Sequence, residues 1–210
     1  MAYLHVDFPS LTSEHIASAQ LFANRYDMIK KIHPVSKPVI AEVGVATGDF
    51  SEFIIEQLKP SKFVAIDSFE MEKYPFHWGI PQEILLNGLA HEDYYKQRFE
   101  HYGELIQIEK GLSADCLSKM PDDYFDIIYI DAGHAYENVR RDGEISQSKL
   151  KHNGIIIFND YIMYDPFINE EYGVVQAVNE ILNQGGWKVD GFALEKNMFC
   201  DIAISRSHIG

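Results

Sequence analysis

Short apolar runs alternate along this chain with segments of helical periodicity, and this alternation restricts the fold more than any other feature of the sequence. Five short runs have the largely apolar composition of buried strands: residues 39–45, 63–67, 105–109, 125–131 and 154–160. Helical patterns follow four of them, over residues 50–58, 114–120, 136–150 and 173–183. Strands that alternate with helices form βαβ units, so the sequence predicts an α/β fold with a mostly parallel sheet and helices on both faces.

The two ends of the chain and one long insertion complete this prediction. Residues 187–194 and 199–205 have the pattern of two further strands that pair as a C-terminal β-hairpin, which makes the predicted Rossmann-like, doubly wound sheet seven-stranded. A helix over residues 13–32 is expected within an N-terminal helical cap of residues 1–37. Residues 70–104 interrupt the alternation with aromatic side chains, and we expect an insertion that acts as a lid.

Composition excludes several classes of function. The 18 Lys and Arg against 32 Asp and Glu give a net charge of −14, so no basic field is available for nucleic acid or an anionic membrane surface. Cys116 and Cys200 match no disulfide or zinc spacing, and no signal peptide or membrane-spanning segment is recognised. We therefore expect a soluble, cytoplasmic protein whose residues 1–210 form a single domain.

Polar side chains stand at the carboxyl ends of the predicted strands. Asp67 ends the second strand, Asp131 ends the fourth, and Asn159 and Asp160 end the fifth. Ligands of open parallel sheets bind beyond the carboxyl ends of the strands, so these residues mark the expected site.

A glycine-containing turn follows the first strand in the segment EVGVATGD, residues 42–49. Such a turn lets the backbone approach a ligand closely, although a tight turn without a ligand has the same pattern. It is not a GxGxxG turn, and Asp49 within it opposes a pyrophosphate. An adenosine ligand with a cationic or zwitterionic tail suits Glu42 and Asp49 better, and S-adenosylmethionine is such a ligand.

The segments EVGVATGDFS and FVAIDSF resemble the first two motifs of class I S-adenosylmethionine-dependent methyltransferases. The resemblance implies that the turn lines the methionine and ribose, that Glu42 lies near the amino group, that Asp67 holds the ribose hydroxyls, and that residues 111–115 wrap the adenine. The cofactor-binding residues that we expect on this basis are Glu42, Gly44, Val45, Ala46, Gly48, Asp67, Ser68, Ser113 and Asp131. The alternative for Ser113 is a helix N-cap.

Asp131 and Asp160 close adjacent parallel strands, which brings the two carboxylates together. Two such carboxylates repel each other unless a cation lies between them, and oxygen ligands on a rigid sheet edge suit Mg²⁺. A helix cap or turn is the alternative role for either residue. The sequence therefore predicts a magnesium site formed by Asp131, Asn159 and Asp160.

The segments around the fourth and fifth strands resemble the metal-dependent macrocin-type O-methyltransferases, which methylate sugar hydroxyls of natural products. The match comprises a D-x-x-H motif from Asp131 to His134, a Y-x-x-V-x-x-D tail from Tyr136 to Asp142, and the Asn159-Asp160 pair. With the first two motifs it spans about residues 39–165. Asn159 departs from the family, which often has an acid there.

His134 is the candidate general base, with Asp131 as the second catalytic residue. An imidazole with a pKa near ~6.5 can accept the proton of an acceptor hydroxyl at neutral pH. The alternative for His134 is a residue at a helix start whose ring is satisfied by backbone.

Together these features predict an S-adenosylmethionine- and Mg²⁺-dependent O-methyltransferase that acts on a small hydroxylated molecule, such as a sugar or a glycosylated natural product. A metal-independent methyltransferase of the same fold, a nicotinamide-dependent oxidoreductase and a non-catalytic binding module are the alternatives. No nucleic-acid or membrane partner is expected, and homo-oligomerisation is left open.

Overall fold

The structure is a computed structural model that describes residues 7–32 and 35–207. An eight-stranded sheet forms its centre, with the strand order β1-β11-β12-β8-β7-β2-β3-β6. Its strands are β1 (Gln20–Phe22), β2 (Val39–Val43), β3 (Lys62–Asp67), β6 (Ile106–Lys110), β7 (Phe125–Ile130), β8 (Leu150–Phe158), β11 (Trp187–Ala193) and β12 (Asp201–Arg206). Two small hairpins lie outside the sheet: β4 (Phe76–His77) with β5 (Ile80–Pro81), and β9 (Tyr164–Asp165) with β10 (Glu170–Glu171).

Helices cover both faces of the sheet, as the alternation predicts. They are α1 (Arg25–Lys31), α2 (Asp49–Leu58), α3 (Gln82–Leu85), α4 (His91–Phe99), α5 (Ser113–Lys119), α6 (Tyr136–Lys149) and α7 (Val174–Asn183), with 3₁₀ helices at Met71–Lys73 and Glu100–Leu105. Helices α5, α6 and α7 contribute side chains to one apolar core, and α1, α2 and α4 to the other. None of the helices in the described ranges is long and apolar enough to cross a membrane.

The parallel part of the sheet places its polar strand ends on one edge. Strand β2 pairs in parallel with β3 on one side and with β7 on the other, and β8 continues the parallel order beyond β7. The chain therefore changes direction across the sheet between β2 and β7, which is the switch point where ligands of such folds bind. Gly44 follows β2 there, and Asp131 follows β7.

The predicted strand count of seven was wrong by one strand. A helix does not fill residues 13–32: residues 20–22 form β1, which pairs in parallel with β11, and α1 begins only at Arg25. Asn24 sets that start because its side chain accepts a hydrogen bond from the Asp27 backbone N–H. Residues 1–6 and 33–34 of the predicted cap lie outside the described residues.

The C-terminal strands pair antiparallel with each other, and β12 lies between β11 and β8. Because β12 runs against its neighbours, its first residue, Asp201, lies on the edge where the parallel strands end. This edge therefore receives an additional carboxylate.

The close approach of β2 to β7 requires a glycine at position 44. Its φ is +87°, and a Cβ there would lie 2.1 Å from the backbone oxygen of Asp131. Gly88 also has a positive φ, +73°, but nothing lies within 4 Å of the position of its Cβ.

We expect Gly88→Ala to cost about 1–2 kcal/mol of unfolding free energy, the usual penalty of a left-handed residue. Gly44→Ala should cost at least a further ~2 kcal/mol, because backbone atoms must also move. Urea unfolding of both variants measures the difference. Equal losses would show that the two strand ends are not in this close contact.

Candidate functional site

A cavity of about 360 Å³ opens at the carboxyl edge of the sheet, at the switch point. Six of the residues predicted to bind a cofactor line it: Gly44, Ala46, Asp67, Ser68, Ser113 and Asp131. The other three predicted residues, Glu42, Val45 and Gly48, do not. The structure thus collects most of the predicted set, which comes from four different loops, around one space.

Asp67 and His91 form hydrogen bonds with the backbone of the glycine-containing turn. One oxygen of Asp67 accepts hydrogen bonds from the backbone N–H groups of Val45 (2.9 Å) and Ala46 (3.4 Å), and the other accepts one from Phe69 N–H (2.7 Å). The Ala46 carbonyl accepts a hydrogen bond from Nε2 of the buried His91 at 2.6 Å. Asp67 therefore shapes the turn as well as lining the cavity.

Gly48 serves packing in this structure. A Cβ there would lie 2.5 Å from the ring of Phe99, so α4 of the insertion packs directly on the turn. Arg98, also on α4, donates to the Thr47 carbonyl at 2.8 Å and lies 2.7 Å from Asp49. The charge of Asp49 thus has a partner within the protein, and the expectation that it suits a cationic ligand loses its basis.

Glu42 lies beneath the turn, with only 1% of its surface exposed. The Ser51 hydroxyl donates a hydrogen bond to its carboxylate, and the Tyr95 hydroxyl donates to Ser51 at 2.9 Å. Burial raises the pKa of Glu42 to about 8, although Ser51 and Arg25 oppose the increase. Its contact with a cofactor amino group stays a prediction.

His134 lies between the two predicted acids. Its Nε2 is 3.7 Å from Oδ1 of Asp131 and 3.6 Å from Oδ2 of Asp160, and this buried nitrogen has no hydrogen-bond partner. The imidazole stacks on Tyr172 with 4.5 Å between the ring centroids and 6° between their planes. Burial lowers the pKa of His134, although Asn159 and Asp165 oppose the decrease, so the ring is neutral at pH 7.

The β9–β10 hairpin fixes the stacking partner of His134. Asp165 accepts hydrogen bonds from the Tyr172 hydroxyl at 3.1 Å and from Phe167 N–H at 2.7 Å. The tip of the hairpin exposes Phe167, which stacks on Phe199. The hairpin therefore forms one wall beside the imidazole.

The acids at this edge share one internal cation, Arg25. Its guanidinium lies 3.6 Å from Oδ2 of Asp131, donates to the Tyr129 hydroxyl at 3.3 Å and packs over the Phe50 ring at 4.4 Å. Tyr129 in turn donates to Asp201 at 2.7 Å. Arg25 thus reaches one acid directly and another through a tyrosine.

Burial raises the pKa of every acid in this group, and Arg25 opposes each increase. The pKa rises to about 7 for Asp160 and to about 6 for Asp201, and it lies well above the usual range for Asp131. Asp160 also has a φ of +52°, an uncommon conformation for a residue other than glycine. Such strain and such shifts are concentrated at functional sites.

These residues do not fit the predicted magnesium site. Arg25 already places a positive charge beside Asp131, and the Asn159 side-chain nitrogen is bound to Asp201 at 3.0 Å. Within residues 7–32 and 35–207, no group of three or more His, Cys, Asp and Glu side chains could hold a metal ion. The chain itself supplies a cation beside the acid pair from α1, so the structure does not support the magnesium site, which stays a prediction.

Two important residues were missed from the sequence. Arg25 could not be found, because its acidic partners lie more than 100 positions away. Asp201 could have been predicted, because it directly precedes an apolar run that has the pattern of a strand. When such a strand is antiparallel to its neighbour, its first residue lies at the edge where the parallel strands end.

The insertion covers part of the cavity and packs its second half on the protein body. His77 and Trp78, at the β4–β5 turn, line the cavity, and Trp78 is 74% exposed. Tyr95 and Phe99, on α4, are buried. The first half therefore has the position of a lid, which stays a prediction, while the aromatic side chains of α4 form core.

Comparisons with known proteins agree with this geometry. A family model described as a methyltransferase domain matches residues 41–161, more than half of the chain. No curated protein matches the chain in sequence.

Solved structures share the fold at low sequence identity. The SAH-bound methyltransferase PaMTH1 of Podospora anserina superposes with a TM-score of 0.60 at 14% identity, covering 87% of this chain and 78% of that one. A Staphylococcus aureus protein, for which caffeoyl-CoA O-methyltransferase activity is itself a proposal, gives 0.60 at 18% identity, covering 93% and 88%. The pyocyanin biosynthetic protein PhzM gives 0.60 at 12% identity, covering 87% of this chain and 54% of that one, so this chain spans about half its length.

We expect Glu42→Gln to stabilise the fold at high pH. Between the ordinary carboxyl pKa of 4.5 and the folded value of about 8, the unfolded chain releases the proton of Glu42 while the folded protein keeps it. The unfolding free energy of the wild-type protein therefore falls as pH rises through this window, at roughly 1.4 kcal/mol per pH unit, and the variant lacks this loss. Urea unfolding at pH 5 and pH 9 should show a gain of a few kcal/mol at pH 9 only.

The exposed Glu56, also on α2, provides the control variant Glu56→Gln, which should show no such dependence. If Glu42→Gln has the same effect at both pH values, Glu42 is not a buried acid of this kind.

Proposed function

We propose that this chain, which belongs to the methyltransferase-domain family and is an S-adenosylmethionine-dependent methyltransferase, transfers the methyl group to a hydroxyl oxygen of a small molecule, with His134 as the general base. One observation carries this proposal: the buried Nε2 of His134 has no hydrogen-bond partner and lies between Asp160 and Asp131, the second of which lines the cavity. A neutral imidazole in that position lacks a proton donor, and an acceptor hydroxyl is such a donor.

S-adenosylmethionine, when bound, would supply a sulfonium methyl group: as the oxygen bonds to the methyl carbon, the C–S bond breaks and S-adenosylhomocysteine leaves with its electron pair. The residues that support its binding line the cavity from Gly44 and Ala46, through Asp67 and Ser68, to Ser113. Asp131 lies at the other end of this set, beside His134. This order supports transfer at the Asp131 end.

His134 would take the hydroxyl proton at Nε2 as the oxygen attacks, so a positive charge develops on its ring. Asp131 and Asp160, each less than 4 Å from Nε2, stabilise that charge. Tyr172 holds the ring in place by stacking. Alignment of the acceptor oxygen with the methyl carbon supplies much of the rate enhancement, because two groups held in the reacting geometry do not pay the entropic cost of a bimolecular encounter.

Arg25 would favour the ionised form of Asp131 during this step. Its guanidinium opposes the increase in the pKa of Asp131 that burial causes. The magnesium site of Asp131, Asn159 and Asp160 is the alternative arrangement of the same acceptor end. The position of Arg25 favours the metal-independent form.

A small hydroxylated acceptor, such as a sugar or a glycosylated natural product, is the substrate class that we propose. The carboxylate of Asp160 lies 3.6 Å from the base and can accept a hydrogen bond from a further hydroxyl. The net charge of −14 disfavours nucleic acid as the acceptor.

His134→Gln is expected to lower kcat by roughly 10²–10⁴-fold, the usual contribution of a general base. Binding of S-adenosylhomocysteine should be largely unchanged, because Asp131, the predicted cofactor-binding residue beside the imidazole, is itself unaltered. Calorimetry and turnover with a labelled methyl donor measure both quantities. The exposed His101 provides the control variant His101→Gln, and wild-type turnover in His134→Gln would remove the base from the mechanism.

Chelation should leave turnover unchanged, whereas Arg25→Gln should lower it strongly, because the positive charge beside Asp131 comes from the chain. Initial rates after dialysis against EDTA, with and without added Mg²⁺, provide the measurement. If EDTA abolishes turnover and Mg²⁺ restores it, the magnesium arrangement is correct instead.

A further inference from the structure

A second cavity, of about 350 Å³, lies at the opposite edge of the sheet from the candidate site. Strand β12 runs from one edge to the other: Asp201, at its start, belongs to the carboxyl edge, whereas Ser205 and Arg206, at its end, line the second cavity. At roughly 3.3 Å per residue, ~17 Å of strand separate Asp201 from Arg206. The second cavity is therefore not part of the methyl-transfer site.

The charge of the second cavity is opposite to that of the chain. Three cationic side chains and one acid line it, with His152 counted as neutral: Lys31 on α1, Lys188 and Asp190 on β11, and Arg206 on β12. Lys188 donates a hydrogen bond to Asp190, so these two charges neutralise each other. In the whole chain, by contrast, 32 acids stand against 18 Lys and Arg. The cavity therefore has an excess of positive charge, which favours an anionic ligand.

The other two cations keep donors for a ligand. Arg206 packs over the Trp187 ring, 5.6 Å from its centroid, and donates through Nη2 to the Gln147 carbonyl, which leaves most of the N–H groups of its guanidinium unused. Among residues 7–32 and 35–207, no carboxylate forms an ion pair with Arg206 or Lys31. Two positive charges in the wall of the second cavity thus lack a negative partner from the described chain.

We propose that the second cavity binds a phosphomonoester of a small hydroxylated molecule. A phosphate dianion matches the charges of Lys31 and Arg206, and a guanidinium is suited to phosphate because it donates two parallel hydrogen bonds. The hydroxyl groups of Ser18 and Ser205 line the same space and supply further donors.

The size and the remaining lining of the second cavity indicate that the phosphate is carried on an organic group. Cavities of roughly 300–1,000 Å³ hold small organic ligands, and this volume lies within that range. The side-chain amides of Gln20 and Asn153 also line it, and an amide can both donate to and accept from a hydroxyl. The proposal does not depend on the reaction at His134.

Calorimetry with glycerol 3-phosphate tests this proposal, at about pH 8, where a second phosphate pKa near ~6 leaves the phosphate a dianion. Saturating S-adenosylhomocysteine is present throughout, so that the cavity at the carboxyl edge is occupied. Wild-type protein should bind glycerol 3-phosphate with a Kd of about 1 mM or below, inorganic phosphate roughly 10-fold more weakly, and glycerol not measurably. Arg206→Gln and Lys31→Gln should each lower the affinity for glycerol 3-phosphate roughly 10–100-fold, the usual effect of losing a charge-assisted hydrogen bond.

Lys30→Gln is the matched control, because Lys30 lies on the same helix as Lys31, pairs with Asp27 at 3.9 Å and does not line the second cavity. It should keep the wild-type affinity. Lys31 is exposed, so its variant tests the site without disturbing the core.

Three results would overturn the proposal. Wild-type protein that does not bind glycerol 3-phosphate, or binds glycerol equally well, has no site for the phosphate group. Equal affinities for inorganic phosphate and glycerol 3-phosphate would assign the cavity to the free ion instead of a phosphomonoester. Equal losses in Lys30→Gln and Lys31→Gln would show a general effect of surface charge rather than a binding site.

Discussion

The attraction between Arg25 and the acids at the carboxyl edge of the sheet is the interaction on which this site depends. Asp131 follows β7, Asp160 follows β8, and Asp201 begins β12, on the other side of β8 from β7. Three acids of like charge are therefore concentrated at a poorly solvated edge of the sheet. At an effective dielectric near 20, two unit charges about 4 Å apart interact by about 4 kcal/mol. A buried cation therefore favours the ionised forms of these acids, and α1 supplies Arg25, which opposes the increase in pKa that burial causes at each of them.

Several contacts of the N-terminal segment hold Arg25 in position. Asn24 caps α1, and the carboxylate of Glu195 accepts a hydrogen bond from the Arg25 backbone N–H at 2.7 Å, so the first turn of the helix is fixed. Strand β1 then holds the segment to the sheet through β11. The Phe50 ring covers the guanidinium. The N-terminal segment, which the sequence predicts as a helical cap, thus also places a positive charge beside the acids of the site.

Much of the parallel sheet and most of the cavity lining could be predicted, because their signals are local. The run of residues 125–130 is apolar except for Asp126 and fully buried as β7, and the acid that follows it reaches the edge by geometry alone. Strand β1 could not be predicted, since three residues carry little pattern and pairing with residues 191–193 decides their conformation. Asp49 was misjudged for a similar reason: its partner, Arg98, lies in an insertion whose packing the sequence does not reveal.

In the proposed arrangement, Asp67 and Ser113 line the nucleoside end of the cavity, and Asp131, with His134 beside it, marks the transfer end. The central claim is that the second end methylates oxygen. Incubation of the protein with methyl-labelled S-adenosylmethionine and a panel of hydroxylated, amino and thiol acceptors, followed by mass spectrometry of the products, tests it most directly. The account predicts label in a methyl ether of a hydroxylated acceptor. Label recovered only on nitrogen, sulfur or carbon, or on no acceptor, would contradict it.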